Sequence, residues 1–154
     1  MEATNDQVVF ETNVFNSDFR FGGLPQLHLD VTPAGPGGSI YALMEDCSAE
    51  NECIHIGHAI MDLRYHEGGT EYQNVIPGVT IRAKMEFFAM DVLIPEGHNI
   101  KLSLRDIGED YLPPSTEAAV DIDVNGGSVL RIHEINTDQK IFFENSNIPK
   151  KLKK

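Results

Sequence analysis

Residues 25–32 read PQLHLDVT, with Leu27, Leu29 and Val31 alternating with Gln26, His28 and Asp30. In an extended chain successive side chains point to opposite faces, so this spacing makes one face apolar and the other wet. Antiparallel sheets with one buried side have that signature. It recurs in HNIKLSLRD, where Ile100, Leu102 and Leu104 alternate with Lys101, Ser103 and Arg105. In AAVDIDV, Val120, Ile122 and Val124 alternate with Asp121 and Asp123. Three such stretches predict an all-β chain.

Working outward, QVVFETNVF, GSIYALMED, CIHIGHAIMDLRY, GVTIRAKMEFF and SVLRIHEI read as strands with less regular patterning. PAGPGG, HEGG, VIPGV, IPEGH, LPPS and NGG punctuate them, each with Gly or Pro where a turn needs positive or preset φ. DVNGGSVLRI is a hairpin signal, with Asn125 and Gly126 at the turn. MEFFAMDVLI has a helical look, but the β-branched, alternating GVTIRAK before it argues for a strand. About eight to ten short strands without a helix suggest a β-sandwich or jelly roll. A single domain over 1–154 is expected, with its core at about 8–135 and a basic, frayed tail at about 145–154.

The 154 residues suffice for one core, since a chain of this size buries roughly 70% of its unfolded surface. The net charge of −12 repels phosphate backbones and anionic headgroups, so neither a nucleic acid nor a membrane is an expected partner. No apolar run approaches the roughly 20 residues that span a bilayer. MEATNDQVVF has neither the basic nor the apolar region of a secretory signal, and the compartment stays open. Cys47 and Cys53, in CSAENEC, are too far apart for a CxxC motif. They fit a disulfide pinching a hairpin loop or two free thiols alike.

The ordered set of segments resembles a known family. FRFGGLPQLHLDVTPAG is similar to its opening "G-x-P-x-L-x-L-x-V" strand, and SIYALMED to a strand ending in an acidic pair. IHIGHAIMDLRYHEG resembles an "I-x-x-G-x-L-x-x-x-Y-R" strand. NVIPGVTIRAKMEFFAMDVLIPEGHNIKLSLRDIGEDYLPP resembles a "P-G" strand followed by "F-x-x-G-H-x-I-x-L-x-I-x-x-x-D", with Gly97 and His98 in place. This is the C-terminal, non-catalytic domain of X-Pro dipeptidyl-peptidase and cocaine-esterase type serine hydrolases, and the likeness spans roughly 8–135. It implies a galactose-binding-domain-like jelly roll following an α/β-hydrolase domain that supplies the catalytic Ser, Asp and His. The jelly roll would line part of the active-site rim and contribute interdomain or subunit contacts. The sequence departs from the family in carrying no α/β-hydrolase part. It also has Val92-Leu93-Ile94-Pro95-Glu96 where the family has a phenylalanine before Gly-His. An excised domain and a stand-alone version fit equally.

The residues themselves offer little chemistry. A serine hydrolase mounts its nucleophile on a G-x-S-x-G elbow between strand and helix. Ser39 heads a strand and Ser128 follows a turn, so no triad is expected. His55 and His58, three apart in a predicted strand, should face opposite ways and chelate nothing without a bulge or a partner strand. His58 and His66 share parity but lie about 26 Å apart along a strand. Gly97 should start a turn and His98 bond local backbone, or face a partner domain. Asp121 and Asp123 read as a wet strand face, and Asp106, Glu109 and Asp110 lack the dense spacing of a calcium loop. GPGG precedes a strand, not a helix, and so makes no phosphate cradle.

The expected protein is therefore an accessory sandwich with no catalytic, cofactor-binding or metal-binding residues and no cofactor. Its expected partner is an α/β-hydrolase catalytic domain, reached through an apolar patch that would also allow a homodimer. The alternative is a stand-alone carbohydrate-binding module. Against that stand the missing Trp and the scattered Tyr41, Tyr65, Tyr72 and Tyr111.

Overall fold

The computed structural model describes residues 7–105, 122–124 and 127–135. One strand organises half of it. β2 (Phe19–Pro33) runs for 15 residues, and Leu27, Leu29 and Val31 are buried on its inner side as their spacing requires. Along one edge it pairs antiparallel with β5 (Ile81–Glu86) through Gln26–Val31, then with β6 (Met90–Ile94) through Phe19–Gly23. β8 (Ile122–Val124) and β9 (Val129–Glu134) also pair with it antiparallel. Gln26, Leu27 and His28 meet both β5 and β9, so β9 takes the opposite edge. This sheet, sheet B, is in effect three long rows, the outer two each broken once.

The breaks have a local cause. The β2–β9 register shifts between Gly22 and Gln26, and Gly23 sits at φ 94°, a conformation a side chain would strain. Pro25, which has no N–H to give, accepts from the N–H of Phe87 at 2.9 Å where β5 has ended. MEFFAMDVLI is thus strand and not helix, as expected from the residues before it, but it is divided between β5 and β6.

Sheet A is antiparallel, in the order β1 (Val8–Glu11), β7 (Asn99–Arg105), β3 (Ser39–Cys47), β4 (Cys53–Asp62). Ile40, Ala42 and Met44 of β3 and Ile100, Leu102 and Leu104 of β7 form its inner face. They join Phe21, Met85, Phe87 and Ile94 of sheet B and its central strand in one core. Each large apolar side chain buried this way stabilises the fold by roughly 1.5–3 kcal/mol. The architecture is a β-sandwich.

Two expectations are corrected. β8 and β9 do not form a hairpin across Asn125 and Gly126. Both pair with β2, so they run end to end in the same direction. Pairing with a long central strand wins over pairing with each other. CIHIGHAIMDLRY does not stay extended to Tyr65 either. Asp62 accepts from the backbone N–H of Arg64 at 2.9 Å and caps a 3-10 turn, Leu63–Tyr65. Val120, Asp121, the Asp106–Asp110 cluster, Tyr111 and the tail from 145 lie outside the described residues.

Candidate docking face and its histidine pair

The two outer faces differ in chemistry. Sheet B turns outward a ladder of paired polar groups. The Arg82 guanidinium grips Asp30 with bonds of 2.7 and 2.8 Å directly across the strands. Arg20 Nε donates to Asp91 at 2.8 Å, Gln26 to Glu86 at 3.3 Å, and the Thr32 and Thr80 hydroxyls lie 2.8 Å apart. Their arginine partners hold the Asp30 and Asp91 carboxyls below the usual carboxylate range. His28 lies among them. Desolvation lowers its pKa first, helped by the charges of Arg131, Arg82 and Lys84.

Sheet A presents Val9, Leu43, Tyr41, Ile60 and His58 outward, by the registers of β1, β3, β4 and β7. The Arg105 guanidinium lies 4.8 Å above the Tyr41 ring, a cation–π contact, and Tyr41 is 5% exposed. Ser103, a polar position by alternation, is also buried on this side. Val9 and Ile60 remain 40% and 43% exposed. Among the described residues, this outer face combines apolar and aromatic side chains with Arg105 and the Lys101–Glu45 ion pair, while Leu93 and Val129, 51% and 46% exposed, interrupt the polar ladder of sheet B.

A bulge brings His55 and His58 together, against the expectation that they face apart. Met44 pairs with Gly57, yet the next residue, Glu45, pairs with His55, so Ile56 is an extra residue in β4. The inserted residue flips the parity, and both imidazoles emerge on the outer face. His55 Nε2 lies 3.4 Å from His58 Nδ1, with the rings stacked at 5.4 Å between centroids. Tyr41 stacks on His58 at 5.6 Å, and Phe88 meets it edge-on at 6.2 Å. The sequence does carry a trace of the bulge. Its apolar positions switch from even (Ile54, Ile56) to odd (Ala59, Met61) between 56 and 59.

At the far end of the same sheet, Gly97 takes φ 84° in the turn before β7, as expected. His98 does not bond local backbone through its ring. Its Nδ1 lies 2.8 Å from Oδ1 of Asp46, a buried carboxylate at the end of β3. The neighbouring Cys47 and Cys53 are Cα partners across β3 and β4, 4.1 Å apart, and are joined by a disulfide. Of the two states the spacing left open, the structure has the bridge.

The remaining candidates fall elsewhere. Ser39 opens β3, and Ser128 Oγ accepts from the N–H of Asp30 at 3.1 Å. Tyr65 and Tyr72, expected to be scattered, meet edge-to-face with centroids 6.3 Å apart and both exposed. No group of three or more His, Cys, Asp or Glu among the described residues is arranged to enclose a metal. No helix among them is long and apolar enough to cross a membrane.

Comparisons with known proteins agree with this architecture. A family model described as the X-Pro dipeptidyl-peptidase C-terminal non-catalytic domain matches residues 1–139. Among solved structures, the chain is similar to an aminopeptidase from the marine sediment archaeon Thaumarchaeota archaeon, with 15% identity and a TM-score of 0.73. It is similar to an α-amino acid ester hydrolase at 14% identity, also with a TM-score of 0.73. Each match covers 87% of this chain and 26% of the other. A CocE/NonD family hydrolase from Staphylococcus aureus aligns at 12% identity and a TM-score of 0.68, over 84% of this chain and 30% of that one. The chain thus spans about a quarter of the first two structures, and at these identities the likeness is one of fold. No curated protein matches it in sequence.

Proposed function

Because the chain belongs to the family of X-Pro dipeptidyl-peptidase C-terminal non-catalytic domains, we propose that it is an accessory sandwich docking on an α/β-hydrolase domain through the outer face of sheet A. The aromatic cluster of Tyr41, His58 and Phe88 beside the exposed Val9 and Ile60 carries this reading. Removing Val9, Ile60 and the Tyr41–His58 surface from water favours association by roughly 25 cal/mol per Å² of apolar area. Covering the sheet B ladder would desolvate two ion pairs, Arg82–Asp30 and Arg20–Asp91, against the one Lys101–Glu45 pair on sheet A, and such burial often returns nothing.

The reading extends to substrate access and oligomerisation. Tyr72, Ile76 and Val79, exposed in the long connection between Tyr65 and β5, are available to line a substrate entrance. A second copy of the chain would compete for the same apolar face. The catalytic groups belong to the partner, so the chain alone is expected to hydrolyse neither X-Pro chromogenic substrates nor aryl esters.

The test is calorimetric titration of the chain with a family α/β-hydrolase domain expressed without its own C-terminal domain. Binding that Ile60→Asp and Val9→Asp weaken, and Arg82→Ala does not, is expected. Absence of binding, or equal loss on the sheet B variant, would overturn the proposal. One observation favours a second reading, a carbohydrate-binding module: the exposed Tyr65–Tyr72 pair. Its rings are 89° apart and share no flat platform for a sugar, and a blank glycan array would end that alternative.

A further inference from the structure

The geometry points to a two-histidine site for a divalent transition metal, formed by His55 Nε2 and His58 Nδ1 on the outer face of sheet A. A tetrahedral ion with metal–nitrogen bonds of about 2.0–2.1 Å holds two nitrogens about 3.3–3.4 Å apart. The bulge at Ile56 sets this pair at 3.4 Å. The rings are stacked, so binding requires the exposed His55 ring to turn until its lone pair meets that of His58 at a shared point.

The site is partly organised in advance. His58 is held between the faces and edges of Tyr41 and Phe88, while His55 is exposed and free to adjust. Both donors must be the unprotonated nitrogens, so His58 carries its proton on Nε2 and His55 on Nδ1. Protons therefore compete with the metal for these nitrogens. Glu45 stands directly across from His55 in the register, but its Oε2 is engaged by Lys101 Nζ at 3.4 Å. Among the described residues no group of three or more His, Cys, Asp or Glu is arranged to hold an ion, so the site proposed has these two protein ligands. Imidazole pairs suit Cu²⁺, Ni²⁺ and Zn²⁺, with Cu²⁺ bound most tightly.

The experiment titrates the full, untagged chain with ZnCl2 and NiCl2 at pH 7.5. One ion per chain is expected. Losing a ligand costs at least as much as losing a ligand's supporting hydrogen bond, so His55→Gln and His58→Gln should each weaken binding roughly tenfold or more. His28→Gln and His133→Gln should leave it unchanged. Substoichiometric Cu²⁺ should broaden the imidazole proton resonances of His55 and His58 first in the wild-type chain, a readout that needs no variant. No binding up to millimolar metal would overturn the proposal and leave a plain imidazole–imidazole hydrogen bond. Broadening at other histidines, or binding unchanged in both variants, would overturn it too.

Discussion

Asp46, at the end of β3, and His98, in the turn before β7, are 52 residues apart in sequence, and their side chains meet at 2.8 Å. The carboxylate is buried, while the imidazole is part-exposed. The contact clamps the start of β7 to the end of β3 at the disulfide end of sheet A. It also answers the desolvation of Asp46, which would otherwise be a charge out of water without a partner.

Removing the imidazole therefore costs more than one hydrogen bond. His98→Ala is expected to lower stability by about 1–3 kcal/mol, because it strands the buried carboxylate. Asp46→Asn, which can still bond the ring, should cost less. Urea denaturation of both variants checks the order, and equal or negligible losses would refute the clamp.

Gly97 offers a cleaner backbone test. Its φ is 84°, and a Cβ built there meets nothing within 4 Å. Gly97→Ala should thus cost about 1–2 kcal/mol through left-handed strain alone. A variant as stable as wild type would show that the turn relaxes to another conformation.

The disulfide closes a short loop, with a sequence separation of 6 between Cys47 and Cys53. Chain entropy alone assigns such a loop about 2 kcal/mol. A Cys47→Ser, Cys53→Ser double variant, or the reduced protein, should unfold correspondingly earlier in urea. The far-UV spectrum of the folded state should be unchanged.

Acid should weaken the fold in two stages. Desolvation and nearby cations lower the pKa of His28, so the unfolded chain takes up this proton first as pH falls through about 6.5. Stability then declines below that pH, and His28→Gln should flatten the slope. Asp30, Asp62 and Asp91 are held low by Arg82, Arg64 and Arg20, chiefly through side-chain hydrogen bonds. Their contribution is complete above the ordinary carboxylate value near 3.9 and is lost as pH falls below it. Melting temperatures between pH 3 and pH 8 test both stages.

The alternation of Leu27, Leu29 and Val31, and of Ile100, Leu102 and Leu104, was legible because strand geometry assigns faces from spacing alone. The same rule misassigned His55 and His58, since one inserted residue reverses every face beyond it. It also marked Ser103 as wet, although its side chain is buried. Asn125-Gly126 reads as a hairpin locally, yet β2 offers both flanking strands a longer partner. The Tyr65–Tyr72 contact had no signal, because it joins the 3-10 turn to the irregular connection after it.

Local chemistry settled the all-β character, the core positions of the strongest strands and the Gly97 turn, each of which depends on residues a few positions apart. Folding in three dimensions decided strand neighbours, the bulge in β4, the Asp46–His98 clamp and the aromatic cluster on one outer face. Those features arise from groups tens of residues distant, whose pairing is chosen by competition among all the sheet edges at once.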